Sequence, residues 1–218
     1  MNLESSHDAV LSADILAAAE SLQRDMVDLA TALVRFPSLI LNGHIDVVPI
    51  GAEELWSNPP FDPIVRDDPL YGRGSGDMKA GIAAYVTAFR ALNSIGLQPA
   101  APVFMQSVVE EECTGNGALA CLHRGYKADA AIIPEPFGHS ILTARVGVMN
   151  NDAQWFASSV TTDARAFNLY GSIPATGYGP QAQNIHGIDE SVSIESTLRV
   201  AQVLALFMAH WCGVEKTR

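Results

Sequence analysis

His44 and Asp46 stand two residues apart in the apolar run LILNGHIDVVP. On an extended strand their side chains leave the same face, so an imidazole and a carboxylate are aimed at one place. Burying the two without partners would cost several kcal/mol, so something there must compensate them. Further groups of the same kind follow: Asp77 in the glycine-rich turn YGRGSGDMKAG, the triplet Glu110, Glu111 and Glu112 directly after VFMQSVV, Glu135 after AAIIP, and His186 in NIHGIDE. Adjacent carboxylates repel and raise one another's pKa, and a divalent cation relieves that repulsion. A mixed imidazole and carboxylate set suits zinc, with cobalt or manganese as alternatives, and the chemistry such a set supports is hydrolysis by an activated water.

Each group also has an ordinary reading. His44 and Asp46 can form a satisfied hydrogen bond, Asp77 can be a helix N-cap, the glutamate triplet can be a solvated charge run, and Glu135 and His186 can be loop surface. Gly72, Gly74 and Gly76 invite a phosphate-binding reading, but GxGxxG would need glycine where Asp77 stands, and no GxxxxGK[ST] is present. No GxSxG elbow supports a serine hydrolase. His123 and His139 lack motif context and read as surface residues, and Cys113 reads as a packed thiol.

The elements that must hold these groups alternate. Ile15, Leu22, Met26, Leu29 and Leu33 recur at helical spacing over residues 13–36, with Pro37 ending the pattern. The run MKAGIAAYVTAFRALNSIG predicts a helix closed at Gly96, and further helices are expected near 116–125 and 191–212. Strands are expected at 39–49, 103–109, 130–133, 141–149, 155–161 and 173–178. Alternation of this kind predicts a three-layer α/β/α domain with a largely parallel mixed sheet, whose ligands sit at the carboxyl ends of the strands.

The chain has 218 residues, 48% of them hydrophobic, which is enough for one sizeable core. Thirteen Lys and Arg against 24 Asp and Glu give a net charge of -11, which disfavours nucleic acid or an anionic membrane as partner. No apolar run reaches the ~20 residues of a membrane span. The first residues lack a signal-peptide pattern, and three cysteines outside CxxC spacing argue against a disulfide framework. A cytoplasmic location is the expectation.

The segments LNGHIDVVP, WSNPPFDP, LYGRGSGDMKAG, EEECTGNGA, IPEP and NIHGIDE, in this order over most of residues 25–212, resemble the M20 metallopeptidase family. That family includes acetylornithine deacetylases, succinyl-diaminopimelate desuccinylases, aminoacylases and carboxypeptidases, and the acetylornithine deacetylase-like branch is the first expectation here. The resemblance implies two divalent metal ions. His44 and Glu135 would hold the first, Glu112 and His186 the second, and Asp77 would bridge them. Asp46 would orient His44, and Glu111 would be the general base that takes a proton from the activated water and passes it to the departing amine. Exchanging Glu111 and Glu112 is the alternative assignment; Glu110 has no assigned role. Arg165 matches an arginine that grips a substrate carboxylate. The implied substrate is an N-acyl amino acid or small peptide. The alternative is a metal-binding but catalytically weak chain.

Two junctions depart from that family. A helix and strand expected between Ser38 and Leu39 are missing, and a lid and dimerisation domain expected near 149–153 is absent. The family implies a homodimer; this chain, without that domain, implies a monomer built on residues 1–218 as one catalytic domain.

Overall fold

The computed structural model describes residues 14–24, 36–138, 142–143 and 162–217. The chain divides into two units, Met1–Phe36 and Pro37–Arg218. In the first, residues 14–21 are helical, and Ile15 and Leu22, expected to face a core, are exposed. Met26, Leu29 and Leu33 lie outside the described residues.

The second unit is built on β1 (Leu39–His44), whose Leu39, Ile40 and Leu41 are fully buried. An uninterrupted apolar run of this kind suits a strand covered on both faces. Strands β2 (Ile64–Val65) and β3 (Pro69–Tyr71) precede a wide helical turn, Ser75–Lys79, that runs into helix α1 (Ala80–Ser94). Then come β4 (Leu97–Pro99), β5 (Val103–Val108), α2 (Asn116–His123), β6 (Ala130–Ile133) and β7 (Leu142–Thr143). A short helix α3 (Ala164–Ala166) continues into a wider turn, Phe167–Gly171. The chain closes with β8 (Ala175–Gly177), β9 (Ala182–Gln183), β10 (Ser191–Ser193), α4 (Ile194–Trp211) and β11 (Val214–Lys216).

The principal sheet has five strands in the order β5-β1-β6-β8-β7. Its first four strands are mutually parallel and β7 is antiparallel, which bears out the expected mixed, largely parallel sheet. Alternation along β1 assigns the layers. Ile40 joins Ala118 and Leu122 of α2, Ile133 of β6 and Phe167 in one buried cluster. Gly43, an odd position like Leu39 and Leu41, abuts Ile82 of α1 instead. On α1, Ala84, Ala88 and Leu92 are buried at intervals of four, the spacing of a core-facing stripe. On α4 the stripe is Val200, Ala201, Leu204 and Met208, and Ser193 caps the helix by accepting from the Ser196 N–H at 3.0 Å.

A second sheet of four short strands, β2-β3-β10-β9, is antiparallel. It brings the segment before Asp77 beside the segment after His186, because Tyr71 pairs with Ser191. The expected helix at 191–212 therefore begins only at Ile194, its first three residues being β10. At the 38–39 junction β1 starts at once: the backbone N–H and hydroxyl of Ser38 both donate to Asp129 Oδ2, and the Trp211 indole donates to the Ser38 carbonyl. The junction at 149–153 and the strand expected at 155–161 lie outside the described residues. No described helix is long and apolar enough to cross a membrane.

Candidate functional site

The carboxyl ends of the parallel strands converge on one corner. His44 is the last residue of β1 and is buried. The glutamate triplet follows β5, Glu135 follows β6, and Asp77 arrives in the turn that starts α1. His186 reaches the same corner from a loop in which Asn184, His186 and Asp189 all hold positive φ, a conformation that Asn, Asp and His tolerate better than most.

Asp77 faces both imidazoles. Its Oδ1 lies 3.0 Å from His44 Nε2, and its Oδ2 lies 3.1 Å from His186 Nε2. Glu112 Oε2 is also 3.1 Å from His186 Nε2, while Glu135 Oε1 is 3.9 Å from His44 Nε2. Ligand atoms of His44, Asp77 and Glu112 all lie within 4.8 Å of one another. Asp46 lies just past the end of β1, and its backbone carbonyl oxygen is 3.1 Å from His44 Nδ1. Its carboxylate Oδ1 stands 3.3 Å from the same nitrogen without the alignment of a hydrogen bond, and Oδ2 accepts from the Glu112 N–H at 3.3 Å. Asp46 thus ties the imidazole to the glutamate triplet.

The three glutamates separate in environment. Glu110, at φ 68, is part of the turn: its carbonyl accepts from the Thr114 and Gly115 amides, and its Oε2 from Thr114 Oγ1 and Asn116 Nδ2. Glu111 is buried, and its Oε1 has no hydrogen-bond partner among the described residues. Arg165 packs against this turn, its Nη2 lying 2.7 Å from where a Cβ on Gly115 would stand. Cys113, expected to be packed, is exposed, as is His123; His139 lies outside the described residues.

Electrostatics mark the corner as strained by its own charge. Burial foremost, with the charges of Asp163, Glu112 and Asp77, raises Glu111 to about 7 against the pull of His44. Burial likewise raises Glu112, and lifts Glu135 well above the carboxylate range. Burial pulls His44 down, but the hydrogen bond to Asp77 and the charges of Glu135, Asp77 and Glu111 overcome it and raise the imidazole to about 10. Asp77 is opposed by its own burial and still lowered, by the His44 hydrogen bond and charge. Such a donor set, short of compensating cations, fits a divalent metal.

Two residues at this corner were not singled out from the sequence. Asp163 is buried, with neither carboxylate oxygen hydrogen-bonded among the described residues, and burial raises it to about 6. Glu190 is wholly buried beneath the glycine turn. A buried Asp inside TTDARAF carries no periodic signal, and Glu190 reads as one more acid in IDES. By contrast, an apolar groove of about 600 Å³ between α1 and α4, lined by Ala88, Ala91, Leu92, Leu198 and Ala205 among others, holds none of the candidate residues.

The model of peptidase family M20/M25/M40 matches residues 40–150, about half of the chain. The chain belongs to that family. Over 114 residues it is 40% identical to the N-formyl-4-amino-5-aminomethyl-2-methylpyrimidine deformylase of Halalkalibacterium halodurans, covering 52% of this chain and 26% of that protein. Over 143 residues it is 35% identical to a probable succinyl-diaminopimelate desuccinylase of Staphylococcus aureus, covering 65% of this chain and 33% of the other. The chain therefore spans about a quarter to a third of the length of these M20 relatives. Among solved structures, aminopeptidase PepT from Bacillus cereus superposes with a TM-score of 0.62 at 12% identity, covering 80% of each chain. That likeness shows the α/β fold.

Proposed function

We propose that this M20-family chain is a two-metal amidohydrolase acting on N-acyl amino acids, related acylated amines or small peptides. The observation that carries the reading is the Asp77 carboxylate, which turns one oxygen to His44 and the other to His186, as a bridge between two cations requires. His44 and Glu135 would complete the first site, Glu112 and His186 the second, with zinc as the metal and cobalt or manganese as substitutes. The bound pair would supply Lewis acidity and a water acidified to near-neutral pKa.

The chain's own residues do the rest. Asp46 fixes the imidazole of His44 through Nδ1, leaving Nε2 to face Asp77. Glu111, buried and with Oε1 unpaired among the described residues, takes the proton of the attacking water and returns it to the amine nitrogen as the amide bond breaks. Arg165, beside the Glu111 turn, offers a two-pronged donor to a substrate carboxylate. The names of the sequence relatives, a deformylase and a desuccinylase, favour removal of a small acyl group from nitrogen.

The test is amine release from N-formyl, N-acetyl and N-succinyl amino acids by the 218-residue chain supplied with zinc or cobalt, together with anomalous scattering from the metal-soaked crystal. Hydrolysis that Glu111→Gln lowers about 10²–10⁴-fold without loss of metal supports the reading. No ion among His44, Asp77, Glu112, Glu135 and His186 would sink it. Two bound ions without turnover would leave only a metal-binding chain.

A further inference from the structure

Outside the ligand set, one side chain is built into the site more thoroughly than its sequence context suggests. Glu190 is 0% exposed and spends both carboxylate oxygens on the turn that carries Asp77. Oε1 accepts from the Gly76 N–H at 2.9 Å and the Asp77 N–H at 3.0 Å. Oε2 accepts from the Gly74 N–H at 3.0 Å and from Arg73 Nη1 at 2.7 Å. Its backbone carbonyl accepts from the Gly72 N–H at 2.9 Å. The approach is so close that a Cβ on Gly76 would stand 3.3 Å from Oε1 and 2.7 Å from Ala182 Cβ, so glycine is required there.

Arg73 extends the same construction. It is 5% exposed, its guanidinium lies 5.0 Å from the Trp56 ring centre, and its Nη2 donates to the Pro49 carbonyl at 3.4 Å. Pro49 follows the segment that holds His44 and Asp46. Glu190 itself stands four residues after His186. The buried pair therefore touches all three segments that deliver His44, Asp77 and His186, while among the described residues its side chains bond to backbone groups and to each other rather than to a candidate ligand side chain.

We infer that Glu190, paired with Arg73, is a positioning residue that sets the spacing of Asp77 and His186 and so fixes the affinity of the second metal site. A neutral side chain of the same shape keeps the volume but not the charge that gathers three amides and a guanidinium. Because Glu190 is close in sequence to His186 and bonded to the Asp77 amide, the second site depends on it more than the first, whose His44 ends β1 and whose Glu135 follows β6. Groups of this supporting kind change metal affinity by roughly 10–100-fold.

The inference rests on the two-metal reading, and one titration separates the two. Metal-free wild-type and Glu190→Gln protein are titrated with zinc by calorimetry and with cobalt by visible absorption, with helix content followed by circular dichroism. The expected result is two equivalents bound by wild type. In Glu190→Gln the second equivalent should weaken about 10–100-fold and its cobalt spectrum change, while the first stays within about threefold. Val200→Ala, a core change on α4, should leave both affinities of the folded protein unchanged. Should Glu190→Gln not fold, Arg73→Lys, which keeps the cation but not the fork, decides: weakening of the second equivalent alone is expected. Unchanged affinities, or equal loss of both ions, in the variant that decides would overturn the role of Glu190. Fewer than two equivalents in wild type would overturn the two-metal reading instead.

Discussion

His44 Nε2 lies 3.0 Å from Asp77 Oδ1, a contact that joins the carboxyl end of β1 to the glycine turn. Two structural choices make it possible: β1 stops at His44, and α1 starts close enough to the sheet that Gly81 rests on the Pro134 carbonyl, leaving no room for a side chain. Asp77→Asn preserves this shape while removing the charge shared between the two imidazoles. We expect it to weaken metal binding by more than the roughly 10–100-fold typical of a supporting group, with amide hydrolysis falling in step. Equilibrium dialysis against zinc checks it, and full retention of metal would contradict the bridging role.

Without metal, the folded chain should lose stability as pH rises. Glu111 is raised from 4.5 to about 7, and Glu112 and Glu135 move the same way, so the native state holds protons that the unfolded chain releases between about pH 4.5 and 7. His44, raised from 6.5 to about 10, extends the loss across that higher window. Wherever the native state binds more protons, unfolding free energy falls with pH. Asp77, lowered below 3.8, works the other way only at stronger acidity. Urea midpoints of the chelated protein should therefore decline from about pH 5 to 9, and added zinc should flatten the slope. A chelated protein more stable at pH 8 than at pH 5 would be the wrong sign.

Metal uptake should expel protons. At pH 7 the His44 imidazole, raised to about 10, is protonated, and a cation cannot share the lone pair that proton occupies. Calorimetric binding enthalpies measured in buffers of different ionisation heat should differ in proportion, with at least one proton released per chain. Affinity should also rise with pH from 6 to 8. An enthalpy independent of buffer would contradict this.

Gly179 offers a test from the backbone. A Cβ there would run into the carbonyl oxygens of Pro134 and Glu135, the segment leading from β6 into the site. Gly179→Ala should cost on the order of 1–3 kcal/mol, the range for overpacking. It should also loosen the first metal more than the second, because Glu135 moves and His186 does not. Denaturation and metal titration of the same sample read both effects.

Much of the site was legible because the residues involved sit at ends of apolar runs. LILNGH and VFMQSV are short stretches whose termination in His or Glu is visible without any knowledge of their neighbours. Glu190 and Arg73 were not legible, since they lie 117 residues apart and their pairing depends on Tyr71 meeting Ser191 across two short strands. Those strands are three residues each, too short to show alternation, and SVS runs directly into the helical pattern of α4. Asp46 was legible as a partner of His44, but its main contact turns out to be a backbone carbonyl, which side-chain type cannot report. Glu110, one of three identical letters, is a turn residue only because its backbone adopts φ 68.

The position of β5 at the rim of the principal sheet carries a practical corollary. Among the described residues it pairs only with β1, and its sequence VFMQSV has no charge and no proline to discourage a further strand. A net charge of -11 opposes such pairing between copies by long-range repulsion. Salt, by shortening the Debye length from about 30 Å at 0.01 M to about 8 Å at 0.15 M, weakens that repulsion. Concentrated stocks should therefore stay clearest at low ionic strength, and turbidity should grow as salt is added.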